Sequence, residues 1–189
     1  MPNALLVATA LLMAATRPAT GPLSDREFQS LMEAAAAAAS PSSLAPAITW
    51  TICVQRELGP PTSRWNQAFQ SLPKGGAEAA KSVSAGRSSK GVTAQQTTLR
   101  TLPTKFTLID VNARPPQCAV SRNLARGPNW QRDESVVVWT FTRPVLANGY
   151  AFIEEYEDCA GLCGTRYLRV FRKQSGKWKQ VAVTILSVS

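Results

Sequence analysis

Residues 135–189, SVVVWTFTRPVLANGYAFIEEYEDCAGLCGTRYLRVFRKQSGKWKQVAVTILSVS, decide the fold. Ser135–Arg143 alternates two nearly apolar faces, with Val136 and Val138 on one and Val137, Trp139 and Phe141 on the other. A period of two is the signature of a strand. Pro144 to Gly149 turns the chain, and Asn148-Gly149 is the turn signal because both residue types tolerate the positive φ of a tight hairpin. Gly149–Asp158, Thr165–Lys173 and Lys177–Ser189 read as three further strands, joined by Cys159–Gly164 and Gln174-Ser175-Gly176. The expectation is an antiparallel β-meander.

The charges on this meander propose a register. If the second hairpin turns about the middle of Cys159–Gly164, Glu157 faces Arg166 and Glu154 faces Arg169, both as opposite-charge cross-strand pairs. A slip of one residue would move every side chain to the other face and lose both pairs. The acidic run Glu154, Glu155, Glu157, Asp158 and the basic run Arg166, Arg169, Arg172 are then explained by hairpin pairing.

Working back toward the N-terminus, Lys105 to Val111 reads as a strand, with Phe106, Leu108 and Val111 as its apolar positions. Ala125 to Glu134 is polar and reads as a loop. Residues 73–98 are rich in Gly, Ser, Ala, Lys and Gln and predict a flexible loop. Pro60-Pro61-Thr62 starts a short helix with Trp65, Ala68 and Phe69 on one face. Ala47 to Leu58, around Cys53, fits a strand or a helix. Ser24-Asp25-Arg26-Glu27 is a capping box ahead of Phe28, Leu31, Met32 and Ala35 at helical spacing, and Pro41 ends that helix. Its alanine tract is low in complexity, so residues 22–43 are assigned as a helical leader ahead of a single α+β domain over 44–189.

Ala4 to Ala15 form an apolar run of signal-peptide length, well short of the roughly 20 residues that a membrane span needs. Residues 1–21 are accordingly read as a signal peptide, the only membrane-directed segment, and the mature chain as periplasmic or extracellular. The 189 residues carry 21 Lys and Arg against 12 Asp and Glu. Removal of residues 1–21 takes away only Arg17, so 20 cations against 12 acids leave +8. Such a charge favours anionic surroundings such as envelope polymers, anionic lipid or nucleic acid, and the expected partner is an anionic envelope polymer or another envelope protein.

Cys53, Cys118, Cys159 and Cys163 are even in number, which suits an oxidising compartment. Of the three possible pairings the simplest joins Cys159 to Cys163 and Cys53 to Cys118, because a five-residue turn brings two Cα atoms within the range of about 4.4–6.8 Å. One close pair rather than two argues against a Cys₄ zinc site.

The chain contains no histidine. That excludes Ser-His-Asp and Cys-His nucleophilic machinery, His-ligated zinc catalysis and facial-triad iron. Ser71-Leu72-Pro73-Lys74 matches a Ser-x-x-Lys spacing, but Pro73 and the following Gly75-Gly76 break the helix that would bring Lys to Ser. Gly86-Arg87-Ser88-Ser89-Lys90-Gly91 lacks phosphate-loop spacing. No cofactor, metal or catalytic residue is assigned. A His-independent hydrolase working through the Glu/Asp carboxylates is the enzymatic alternative to a non-catalytic binding or structural module. Arg166, Arg169, Arg172, Lys177 and Lys179, interleaved with Trp139, Tyr167, Phe171 and Trp178, form a candidate anion-binding set, with single-stranded nucleic acid as a further class of ligand.

Gly149-Tyr150-Ala151-Phe152-Ile153-Glu154, Cys159-Ala160-Gly161-Leu162-Cys163-Gly164, Tyr167-Leu168 and Gly176-Lys177-Trp178 together resemble the C-terminal hairpins of uncharacterised exported bacterial proteins. The resemblance covers about 55 residues, from Ser135 onward, and departs at Ala160, where Gly is usual, and at Thr165-Arg166. It implies an α+β fold with a curved antiparallel sheet, cystatin-like or nuclear-transport-factor-2-like; together with the reading of the residues the expectation is N-terminal helices on a sheet of four to six strands. It implies no activity.

Overall fold

The structure, a computed structural model, describes residues 22–39, 51–61, 65, 92–113, 115–118, 136–147, 149–158 and 164–188. The signal-peptide run, Ala68 and Phe69 of the second expected helix, the Ser71–Lys74 motif, the 86–91 loop, the 125–134 loop and the Cys159/Cys163 turn lie outside the described residues.

Among the described residues, one α-helix and an open mixed sheet make an α+β fold. Helix α1 spans Asp25–Ala38. The strands are β1 Thr51–Gln55, β2 Val92–Thr93, β3 Phe106–Ile109, β4 Val136–Phe141, β5 Val145–Ala147, β6 Tyr150–Asp158, β7 Gly164–Gln174 and β8 Lys177–Val188, eight among the described residues. A 3₁₀ turn covers Pro116–Cys118. Across the sheet the order is β3–β1–β4–β6–β7–β8, with β5 beside the other half of β6 and β2 outside β5.

The antiparallel meander describes only β6, β7 and β8 and their neighbours β4 and β5. β1 runs parallel to both β3 and β4, which makes the sheet mixed. Hairpin turns announce antiparallel pairs in a sequence, whereas parallel partners need crossovers that carry no turn signal.

Where a turn is expected over Pro144–Gly149, the chain instead resumes as β5. Phe141 pairs with Glu155 and Val145 with Phe152, so Thr142-Arg143-Pro144 sits opposite only two residues of β6. This is a bulge in what is otherwise one long strand. Pro144 has no N–H to continue the ladder. Thr142 compensates: its Oγ1 accepts from the Glu154 N–H at 3.0 Å, while its own N–H donates to the Glu154 carbonyl at 2.9 Å. The chain reverses between the paired residues Ala147 and Tyr150, with Gly149 at φ 80°.

Alternation sorts the sheet into a helix face and a far face. Val137, Trp139 and Phe141 of β4, Ala151 and Ile153 of β6 and Phe171 of β7 pack against Phe28, Leu31, Met32, Ala35 and Ala36 of α1. α1 is therefore the second layer of the domain and not a leader apart from it. Its low-complexity tract has a packing function, since buried Ala35, Ala36 and Ala39 let the helix backbone lie close to the sheet. The capping box forms as expected, with the Ser24 hydroxyl accepting from the Glu27 N–H.

On the far face, Cys53, Ile109, Cys118 and Val138 form one cluster, and Trp65, Tyr150, Phe152, Leu168 and Val170 another. Cys53 of β1 and Cys118 are disulfide-bonded, with Cα atoms 5.9 Å apart. The stretch expected to be a loop over 73–98 is structured at its end, where β2 pairs with β5 and Ala94 is buried.

Candidate anion-binding site

The site begins with the register of β6 and β7. Ile153 pairs with Arg169, Tyr156 with Arg166 and Glu157 with Thr165. The proposed Glu154–Arg169 and Glu157–Arg166 pairs are thus off by one residue. Asp158 pairs with Gly164, so an odd number of residues, five, separates the paired ends.

The slip redistributes the charges. Arg169 points to the helix face with 6% of its surface exposed, and its Nε donates to Glu155. Its Nη1 donates to Gln180 Oε1 at 2.9 Å, and its guanidinium stands 5.4 Å from the centre of the Tyr167 ring. Glu154 points the other way, where its Oε1 accepts from the indole N–H of Trp65 at 2.7 Å. Glu157 lies beside Glu155 on the helix face, opposite Trp139 across the strand pair. Glu157 Oε1 and the Trp139 indole N–H are buried without a hydrogen-bond partner among the described residues.

Burial governs these carboxyls. It pushes Glu155 above its ordinary value, and the hydrogen bond and charge of Arg169 oppose it. Burial, and then the neighbouring charge of Glu155, push Glu157 up as well. The Tyr167 phenol is raised by burial first and by Glu157 second.

At the other end of β7 the cations are in water. The β7–β8 hairpin closes through Ser175 and Gly176, at φ 49° and 78°, between the paired residues Gln174 and Lys177. Arg172, Lys173, Lys177 and Lys179 are all exposed there. Lys173, on the helix face, is tied to Glu27 of α1 at 2.6 Å, and this bond is the main reason the Glu27 carboxyl lies below its ordinary value. Arg172, Lys177 and Lys179 lie on the far face. Arg172 is directly opposite Lys179 on one side and Tyr150 on the other, its guanidinium 5.3 Å from the centre of the Tyr150 ring. Lys177 and Lys179 have no ion pair among the described residues.

Of the five cations singled out in the sequence, three are brought together: Arg172, Lys177 and Lys179. Arg169 is buried on the opposite face, and half-buried Arg166 lies six residues along β7. Sequence reasoning missed Tyr150, whose pairing with Arg172 depends on the register. Two like charges directly across a strand pair repel. An anion between Arg172 and Lys179 would remove that repulsion, and the Tyr150 ring holds the Arg172 guanidinium in place to receive it.

No group of three His, Cys, Asp or Glu side chains is placed to hold a metal ion, and no helix is long and apolar enough to cross a membrane, among the described residues. No family model, curated protein or solved structure matches the chain.

Proposed function

We infer that the chain is an exported, non-catalytic binding module of the cell envelope that grips an anionic polymer with the far face of its β7–β8 hairpin. The observation that carries this reading is the opposed pair Arg172–Lys179 with Lys177 beside it, exposed on the β7–β8 hairpin. Export is supported by the N-terminal apolar run, by the resemblance to exported bacterial proteins and by the Cys53–Cys118 bond, which belongs in an oxidising compartment.

A hydrolase acting through Glu155 and Glu157 has one observation in its favour: a carboxyl pushed above its ordinary value by burial and by a second carboxyl beside it, as in acid and base pairs. Both side chains are at most 3% exposed, however, and Glu155 is engaged by Arg169, so a substrate has no access to them as they stand.

The test is binding to sodium polyphosphate and to polygalacturonate, followed by anisotropy of labelled protein across a salt series. Affinity is expected to fall by orders of magnitude between about 50 and 200 mM salt. The double substitution Lys177→Glu/Lys179→Glu should weaken it at least about tenfold while leaving the melting temperature unchanged. Wild-type affinity in that variant would sink the reading.

A further inference from the structure

A concavity lies at the first turns of α1, lined by Asp25, Arg26, Phe28 and Gln29. It is a cleft of about 300 Å³ between the first turns of α1 and the segment from Gln96 to Thr101. Its walls are fixed by side chains that bridge the two elements. The Gln29 amide donates to the Thr101 carbonyl, and the Gln96 amide donates to Asp25 Oδ1 at 3.0 Å and to the Leu23 carbonyl at 3.4 Å. Arg100 closes the rim through an ion pair with Asp25 at 3.1 Å. The cleft owes nothing to the open end of the helix, because Ser24 and Glu27 cap it.

The lining selects a chemistry by exclusion. Arg26 and Arg100 present guanidinium donors, Thr98 and Thr101 present hydroxyls, and Phe28 contributes an apolar floor. Because the Gln29 and Gln96 N–H groups are spent on the walls, their amide oxygens are left as acceptors, alongside the Asp25 carboxylate. An anion would meet those three acceptors, and a cation would meet the two guanidiniums. An apolar ring would strand all of them without partners. A ligand whose every polar group both donates and accepts satisfies the mixture, and a hydroxyl does both. The volume lies at the lower end of the range for small-molecule pockets.

We propose that this cleft binds a neutral, polyhydroxylated ring of monosaccharide size, with its hydroxyls on Arg26, Gln29, Gln96 and Asp25 and its C–H face toward Phe28. The site stands independently of the cationic hairpin: its ligand carries no charge, and its walls share no residue with Arg172, Lys177 or Lys179.

Saturation-transfer NMR on the whole mature chain tests it with four probes of similar size: glucose, glucuronate, glucosamine and cyclohexanol. At about 10 mM, suited to the millimolar affinities of such small ligands, transfer is expected to glucose above the other three. Thr98→Trp places an indole in the cleft from an exposed position and should weaken glucose binding at least about tenfold. Arg26→Ala, which removes an exposed donor, should weaken it by a smaller factor and serves if the Trp variant does not fold. No transfer to glucose, stronger transfer to any other probe, or wild-type binding in a folded Thr98→Trp or Arg26→Ala variant would overturn the proposal.

Discussion

Arg169 and Arg172 stand three residues apart on one strand and meet opposite fates. Arg169 is buried against Glu155 beneath the helix layer, and its charge is spent inside the fold. Arg172 is exposed, stacked on Tyr150 and set against a second cation. An odd spacing on a strand sends side chains to opposite faces, so a basic run of this kind is two populations. One serves the core, and the other lies at the surface. A count of cations along β7 therefore overstates the surface charge that a partner would meet.

The largest expected effect breaks the buried half of that comparison. Arg169→Met strands Glu155 in the interior and should cost about 3–5 kcal/mol, measured by urea unfolding. Adding Glu155→Leu should restore most of the loss; no restoration would mean that Arg169 acts through packing alone.

A smaller effect comes from Glu157. The folded protein holds the Glu155 and Glu157 protons more tightly than the unfolded chain does. Their contribution to stability is fully present below the ordinary carboxylate pKa and is lost as pH rises through the raised folded values. Glu157→Gln keeps the shape and removes that titration. It should raise the melting temperature at pH 7 by about 2–4 °C, equivalent to about 1 kcal/mol, and leave it nearly unchanged at pH 4. An equal gain at both pH values would show that the titration is not responsible.

The smallest effect sits at the tip of the exposed half. Ser175 occupies the left-handed region at φ 49°, which glycine adopts freely. Ser175→Gly should stabilise the hairpin by a few tenths to about 1 kcal/mol without changing polyphosphate affinity. A change in affinity would mean that the tip itself touches the ligand.

Much of the fold could be read in the sequence because its signals are local. The capping box at Ser24, the Asn148-Gly149 turn and the period of two along Val136–Phe141 each involve neighbouring residues. What escaped depends on distance. The β6–β7 register turned on whether a connection was centred on or between residues, and the charges that suggested one answer fitted a diagonal pair, Glu155 with Arg169, as well. The parallel placement of β1 and the Trp65–Glu154 hydrogen bond, 89 residues apart, have no local trace. The alanine tract leaves the place of its helix open, because composition alone does not distinguish a helix that is simple from one that must be thin. For the cationic site, the residue types were visible, but their division between faces required attention to parity.

The Cys53–Cys118 bond has a consequence for the order in which the protein comes apart. It closes a span of 65 residues in sequence, across the half of the sheet whose strands pair parallel. The hairpins β6–β7–β8 are built from neighbours in the chain and re-form quickly by themselves. The parallel half gains no such help, and in the chain-entropy account the cross-link offsets about 4 kcal/mol of its closure cost. The covalent bond thus acts as a latch on the slow half of the molecule, and a reducing environment would release that half first.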